Sequence, residues 1–119
     1  MELKDKAILI TGASGGIGAA AARRLAGEGM AVALAGRDIE KLEAVAKDCR
    51  SLGGEAEVFA GDIMDDEYTS GLPDAVIARL GMLDVLFNNA GVFETGAFVV
   101  AVMSNWDAAL YINFRSLLH

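Results

Sequence analysis

The chain has 119 residues, of which 54% are hydrophobic and 23% charged, and its formal net charge is −7. This length fits one small domain, 1–119, while the acidic balance argues against nucleic-acid binding, which needs a basic face. Cys49 is the only cysteine and His119 the only histidine, so an internal disulfide and a His-rich metal site are excluded. No apolar stretch reaches the ~18–20 residues of a membrane span and no signal-peptide pattern is present, so we expect a cytoplasmic protein.

Strand and helix signals alternate along the first three quarters of the chain. The apolar run at 6–11 predicts a first strand, and the alanine-rich segment from Gly16 to Glu28 predicts a helix that Gly29 ends. Further along, the pattern predicts a strand at 31–35, a helix capped by Asp38, a strand at 55–60, a helix within 65–80 that Pro73 starts or kinks, and a strand at 83–87.

The segment after the fourth strand is harder to assign. Residues 93–103 contain an apolar run that fits either a helix or a loop. Ser104 with Asp107 three positions later resembles a helix start, which predicts a last helix from Asn105 to the end of the sequence. Its apolar residues recur at helical spacing and suit a core or an interface; they are Trp106, Ala109, Leu110, Phe114 and Leu117.

The first strand runs into a glycine-rich loop, Thr11 to Gly18, that opens the first helix. Glycines allow tight turns and let a ligand oxygen approach the backbone, and the first-turn N–H groups of a helix attract an anion. The spacing of Gly12, Gly15, Gly16 and Gly18 fits two glycine patterns. Because the loop lies between a strand and a helix, it predicts a dinucleotide site, with an ordinary tight turn as the alternative.

Strand–helix alternation implies parallel strands joined by right-handed crossovers. We therefore expect an α/β fold, a Rossmann-like doubly wound sheet with strand order 3-2-1-4, that stops after the helix following strand four. Ligands of such sheets bind at the carboxyl ends of the strands, near the switch point between strands one and four. The glycine loop and residues 88–91 both fall on that edge.

These segments resemble the short-chain dehydrogenase/reductase family. The residues that carry the resemblance are Thr11 to Gly18, Asp62 after strand three, Gly81-Met82-Leu83-Asp84, and Asn88-Asn89-Ala90-Gly91. The last of these favours the single-domain branch of the family. The resemblance implies an NAD(P)-dependent oxidoreductase acting on alcohols and carbonyls, of which this chain is the N-terminal cofactor-binding half.

The resemblance also implies roles for individual residues. In the loop, Gly12, Gly16, Ile17 and Gly18 would hold the pyrophosphate through backbone groups, and Ser14 and Gly15 would also belong to the cofactor site. Asp62 would accept a hydrogen bond from the adenine amino group, with the Ile63 N–H against the ring. Asn89, Ala90 and Gly91 would line the adenine–ribose side. For Asp62, the alternative is a solvated turn carboxylate.

The end of strand two predicts which nicotinamide cofactor binds. NAD-binding members place an acid there, whereas this chain has Gly36 followed by Arg37. Glycine leaves room for a 2′-phosphate, and the planar guanidinium can pair with it, so we predict NADP(H) over NAD. Asp38 is a competing ribose ligand that we interpret as a helix cap, and the alternative for Arg37 is a solvated loop arginine.

The family's catalytic residues are a serine, a tyrosine with a lysine four residues later, and an asparagine on the helix after strand four. Asn113 matches that asparagine. Neither tyrosine matches the tyrosine–lysine pair, because the residue four positions after Tyr68 is Leu72 and the residue four positions after Tyr111 is Arg115. We therefore expect the chain alone to be inactive. A non-catalytic nucleotide-binding module, or a truncated remnant acting through self-association, is the alternative.

Ending the sheet at strand four would leave its outer edge unpaired. We expect self-association through that edge or through the last helix.

Overall fold

The computed structural model describes residues 3–88, 98–102 and 109–112. In chain order its elements are β1 (Ala7–Thr11), α1 (Gly16–Gly27), β2 (Ala31–Gly36), α2 (Ile39–Ser51), β3 (Glu55–Ala60), α3 (Asp66–Leu80), β4 (Val85–Asn88), β5 (Phe98–Val102) and β6 (Ala109–Ile112).

All six strands belong to one sheet in the order β3-β2-β1-β4-β5-β6. The first four are parallel and carry the order 3-2-1-4, which confirms the predicted Rossmann-like topology. Ile10 of β1 lies between Leu34 of β2 and Phe87 of β4, so the centre of the sheet is apolar on both sides of β1.

The sheet separates two hydrophobic clusters, and β1 contributes to both. Ile8 and Ile10 belong to the cluster shared with α1 and α2, whereas Leu9 belongs to the cluster shared with Leu72 and Val76 of α3. Alternate strand residues point to opposite faces. This explains why the fully buried β1 reads as a continuous apolar run.

Helix ends follow the capping residues closely. The Lys41 N–H donates to Asp38 Oδ1 at 3.2 Å, which confirms Asp38 as the N-cap of α2. Asp65 caps α3 by accepting from Glu67 and Tyr68, and Gly81 ends that helix in the left-handed conformation, at φ 83°.

Pro73 does not start a helix. It lies inside α3, which begins seven residues earlier at Asp66, so of the two predicted alternatives the longer helix forms and the shorter helix starting at Pro73 does not. The Asp65 cap supplies the start instead. Proline has no N–H to donate, so α3 continues past this position without the hydrogen bond that another residue would make there.

The secondary-structure predictions for the segment after β4 are wrong. Residues 98–102, predicted as helix or loop, form the strand β5, and residues 109–112, predicted as part of a last helix, form the strand β6. β5 pairs antiparallel with β4, with Val100 opposite Phe87. The outer edge of β4 is therefore not open, and the sheet does not stop at β4 followed by a helix. Unpaired N–H and C=O groups of an apolar strand favour a partner strand, and this outweighs the local helical spacing.

Candidate functional site

The loop between β1 and α1 turns on glycines in the left-handed region. Gly12 has φ 65° and Gly16 has φ 57°, conformations that a residue with a Cβ rarely adopts. Gly18 is buried in the first turn of α1. The chain thus passes from the end of β1 into α1 without placing a side chain at these turning points.

The N-terminus of α1 is open to a ligand. Gly15 is its N-cap, no side chain within residues 3–88 caps the first-turn N–H groups, and the first turn contains no acidic residue. A Cβ placed on Gly15 would have no atom within 4 Å, so the space beside it is free among the described residues. Unpaired N–H donors with a partial positive charge suit an anion.

A cavity of about 210 Å³ begins at this loop and extends to the carboxyl ends of β2 and β3. Whole small-molecule pockets measure roughly 300–1,000 Å³, so this cavity would take part of a dinucleotide rather than all of it. Its lining residues are Thr11, Gly12, Ser14, Ala35, Gly36, Arg37, Gly61, Ile63 and Tyr68.

Among the described residues that line the cavity, Arg37 is the one positive charge. It is exposed, and the described residues 3–88 give its guanidinium no carboxylate within ion-pair distance. Neighbouring Gly36 has no side chain, and a Cβ there would only touch the Leu42 side chain at 3.4 Å. Gly36, which has no side chain to fill the space, and Arg37, whose guanidinium has no carboxylate partner within residues 3–88, therefore both line the cavity.

Asp62 and Ile63 lie side by side in the turn after β3 but differ in position. Ile63 lines the cavity, while Asp62 is half-buried beside it and accepts a hydrogen bond from the Met64 N–H at 2.9 Å. This is the bond of a turn carboxylate, and it uses only Oδ1 of Asp62. The Thr69 hydroxyl donates to the Ile63 carbonyl at 2.7 Å and so ties the turn to α3.

Sequence reasoning missed Tyr68 and Gly61. Tyr68 lines the cavity, and its hydroxyl donates a hydrogen bond to the Phe59 carbonyl. Burial raises the pKa of the Tyr68 phenol above its usual value, so the hydroxyl stays protonated as a donor. No local sequence pattern predicts this arrangement, because the sequence around Tyr68 is that of an ordinary first turn of a helix.

The switch point between β1 and β4 is closed by a side-chain pair. The Thr11 hydroxyl donates to Asn88 Oδ1 at 2.9 Å, so the two strand ends that border the site are held together. The predicted site residues Asn89, Ala90, Gly91 and Asn113 lie outside the described residues.

The described ranges contain no group of three or more His, Cys, Asp or Glu side chains placed to hold a metal ion. No helix among them combines the length and apolar character that crossing a membrane requires.

Comparison with known proteins places this architecture in a family. Residues 6–119 match the family model described as short chain dehydrogenase. An uncharacterised oxidoreductase of Listeria monocytogenes is 35% identical over 119 residues, which are 100% of this chain and 48% of that protein. The chain therefore spans about half the length of the curated relatives it matches.

Solved structures agree. An NAD⁺-bound xylitol dehydrogenase is 42% identical with a TM-score of 0.72, over 76% of this chain and 35% of that one. A metagenomic short-chain oxidoreductase in complex with NADP is 44% identical with a TM-score of 0.71, over 77% of this chain and 42% of that one. With a glycine loop at the switch point of a 3-2-1-4 parallel sheet, this chain belongs to the short-chain dehydrogenase family and corresponds to its N-terminal, nucleotide-binding part.

Proposed function

We propose that this chain is the cofactor-binding part of an NADP(H)-dependent short-chain oxidoreductase acting on alcohols or carbonyls. The observation that carries the proposal is the cavity wall formed by Gly36 and Arg37, with a guanidinium that has no carboxylate partner among residues 3–88. Relatives in the family bind either nicotinamide cofactor, one solved neighbour holding NAD⁺ and another NADP.

The residues present fit a dinucleotide. The uncapped N-terminus of α1, with Gly15 leaving open space in front of it, suits the pyrophosphate. Gly12, Ser14, Gly16, Ile17 and Gly18 build the loop around that position. Arg37 suits a 2′-phosphate, because a planar guanidinium pairs with phosphate through two parallel hydrogen bonds.

The adenine end is assigned to the turn after β3. Ile63 lines the cavity there, and Asp62 Oδ1 holds the turn through the Met64 N–H while Oδ2 has no hydrogen-bond partner within residues 3–88. Asn89, Ala90 and Gly91 are proposed for the adenine–ribose side, as the family resemblance implies.

When bound, the cofactor supplies or accepts a hydride. Reduction of a carbonyl also needs a proton donor at its oxygen. Neither tyrosine of these 119 residues has a lysine four positions later, so we propose that proton transfer requires residues outside them, with Asn113 completing that group. The same observation supports a second function, a nucleotide-binding module without catalysis. Oxidation of NADPH with a panel of carbonyl substrates separates the two.

The cofactor preference is tested by replacing Arg37. We expect Arg37→Ala to weaken NADP binding on the order of ten- to a hundredfold, because a charge-assisted hydrogen bond contributes roughly 1.5–3 kcal/mol, and to leave NAD binding unchanged. Isothermal titration measures both. Arg24→Ala is the matched control, since Arg24 is exposed on α1 and faces Glu28 at 3.7 Å. An unchanged ratio of NADP to NAD affinity in Arg37→Ala would overturn the preference.

A second pair of variants separates charge from space at position 36. Gly36→Asp places a carboxylate where the 2′-phosphate would lie, and we expect it to reverse the preference toward NAD. Gly36→Ala adds only a Cβ that touches Leu42 at 3.4 Å, and we expect it to keep most of the NADP affinity. Equal losses in the two variants would show that space, and not charge, decides.

A further inference from the structure

The aromatic ring of Tyr68 forms one wall of the cavity, and none of the family motifs quoted above includes this residue. Tyr68 comes from the first turn of α3, whereas the glycine loop and Arg37 come from the ends of β1 and β2. The ring is partly buried and packs against the apolar cluster that α3 shares with the sheet, while it also lines the cavity. Tyr68 thus has one side in the core and one toward the ligand space.

The ring is fixed in place by contacts with residues on β3 and in the turn that follows it. Its hydroxyl donates to the Phe59 carbonyl, and its ring lies over Gly61, where any Cβ would overlap the ring atoms. The hydroxyl of the next residue, Thr69, donates a hydrogen bond to the Ile63 carbonyl at 2.7 Å. Because these contacts restrict the ring before any ligand arrives, little conformational freedom remains to be lost on binding.

The chemistry of the cavity is divided between its two ends. The anion-seeking groups are the N-terminus of α1 and Arg37, and the apolar surface near β3 comes from Ile63 and Tyr68. A flat, apolar aromatic face suits a planar base, since base–aromatic stacking is favourable for any base. A phosphate would gain nothing on this wall.

We propose that Tyr68 is a base-binding residue of the nucleotide site, and that its ring, which lies over Gly61, is the wall against which the adenine base packs. This inference rests on the proposed function, because it assumes that the cavity takes the adenosine end of a dinucleotide. It adds a residue of α3 to a site otherwise built from strand ends.

The test compares two halves of the cofactor. In Tyr68→Leu, which keeps an apolar side chain for the core, we expect affinity for adenosine 2′,5′-bisphosphate to fall about tenfold and affinity for nicotinamide mononucleotide to stay unchanged. Tyr68→Phe keeps the ring and should bind within about threefold of wild type. Ile77→Ala, at an exposed position of α3, is the control. A general structural defect would weaken both fragments.

Gly61 gives a second, independent variant. Gly61→Ala pushes on the ring, so we expect it to weaken the bisphosphate as much as Tyr68→Leu does. In the double variant the obstacle is gone, so the two losses should not add. Additive losses, or a Tyr68→Phe variant as weak as Tyr68→Leu, would overturn the role of the ring.

A measurement that leaves Tyr68 and Gly61 unchanged covers the case in which variants at these two positions fold poorly. With 3-fluorotyrosine incorporated, the two tyrosines give two fluorine resonances, and Tyr111→Phe assigns that of Tyr68. We expect the bisphosphate to shift the Tyr68 signal and ribose 5-phosphate to leave it in place. No shift at saturation overturns the inference. No binding of NADP by wild type would instead overturn the proposed function.

Discussion

At the scale of single residues, neighbouring glycines of the loop serve different purposes. Gly16 has φ 57° and needs the absence of a Cβ for its backbone, whereas Gly15 is extended, at φ −171°, and tolerates any residue conformationally. What Gly15 provides is open space at the helix N-terminus. We therefore expect stability and ligand binding to depend on different members of the same motif.

This difference predicts opposite results for two alanine variants. Gly16→Ala should lower the free energy of unfolding by ~1–2 kcal/mol, because an alanine in the left-handed region is strained. Gly15→Ala should leave stability nearly unchanged and weaken NADP binding, since its Cβ enters the space in front of the N–H groups. Urea unfolding and isothermal titration check the pair. A stable, tightly binding Gly15→Ala would argue against phosphate at this position.

Cys49 predicts a pH dependence. Burial raises the pKa of its thiol from 9.0 to about 11, so the unfolded chain loses this proton at lower pH than the folded chain does. The contribution of Cys49 to stability is therefore complete below pH 9 and is lost, by up to about 3 kcal/mol, as pH rises toward about 11.

The comparison with Cys49→Ala isolates that effect from the titration of lysines and tyrosines. The variant is less stable at neutral pH because a buried side chain is shortened, and the stability difference between the two proteins should shrink between pH 9 and 11. Denaturant unfolding across this range measures it. A difference that is independent of pH would contradict the prediction.

At the scale of elements, helix positions are set by caps more than by helical propensity. Asp38 caps α2, and Asp65 caps α3, a helix that continues through Pro73. The cap of α2 also fixes where Arg37 lies, one residue before it. Local capping therefore connects the sequence to the geometry of the cavity.

Replacing the α2 cap should affect stability and not cofactor binding. Asp38→Ala removes the acceptor of the Lys41 N–H and should cost about 1 kcal/mol of unfolding free energy, whereas Asp38→Ser keeps an acceptor and should cost less. Thermal unfolding reports both values. NADP affinity lowered as much by Asp38→Ala as by Arg37→Ala would favour Asp38 as a ribose ligand instead.

At the scale of the whole molecule, the antiparallel strands β5 and β6 cover the outer edge of β4. β5 lies between β4 and β6, so the self-association predicted from an unpaired β4 edge loses its physical reason. A variant that disrupts β5 should leave the β4 edge unpaired again and so favour self-association. The strand register places Val100 of β5 opposite Phe87 of β4 on one side and opposite Leu110 of β6 on the other.

We expect Val100→Pro to expose the β4 edge and to cause aggregation, because proline cannot donate within a central strand and bends it away. Ala109→Pro is the control, since a first residue of an outer strand tolerates proline. Light scattering at increasing protein concentration distinguishes them. A Val100→Pro variant as well dispersed as its control would show that β4 does not depend on β5 for cover.

The sequence alone determined the alternating elements, the glycine loop and the adjacent residues Gly36 and Arg37, because these depend on periodicity, caps and turns within a few residues. The 3-2-1-4 order followed from the strand–helix alternation together with the right-handedness of crossovers between parallel strands. Only the tertiary structure decided the antiparallel strands, the packing of Tyr68 on Gly61 and the bond from the Ala7 N–H to Asp84 Oδ2, 77 residues apart. Long-range contacts depend on which surfaces remain unpaired once the local elements have formed, and no local pattern encodes that.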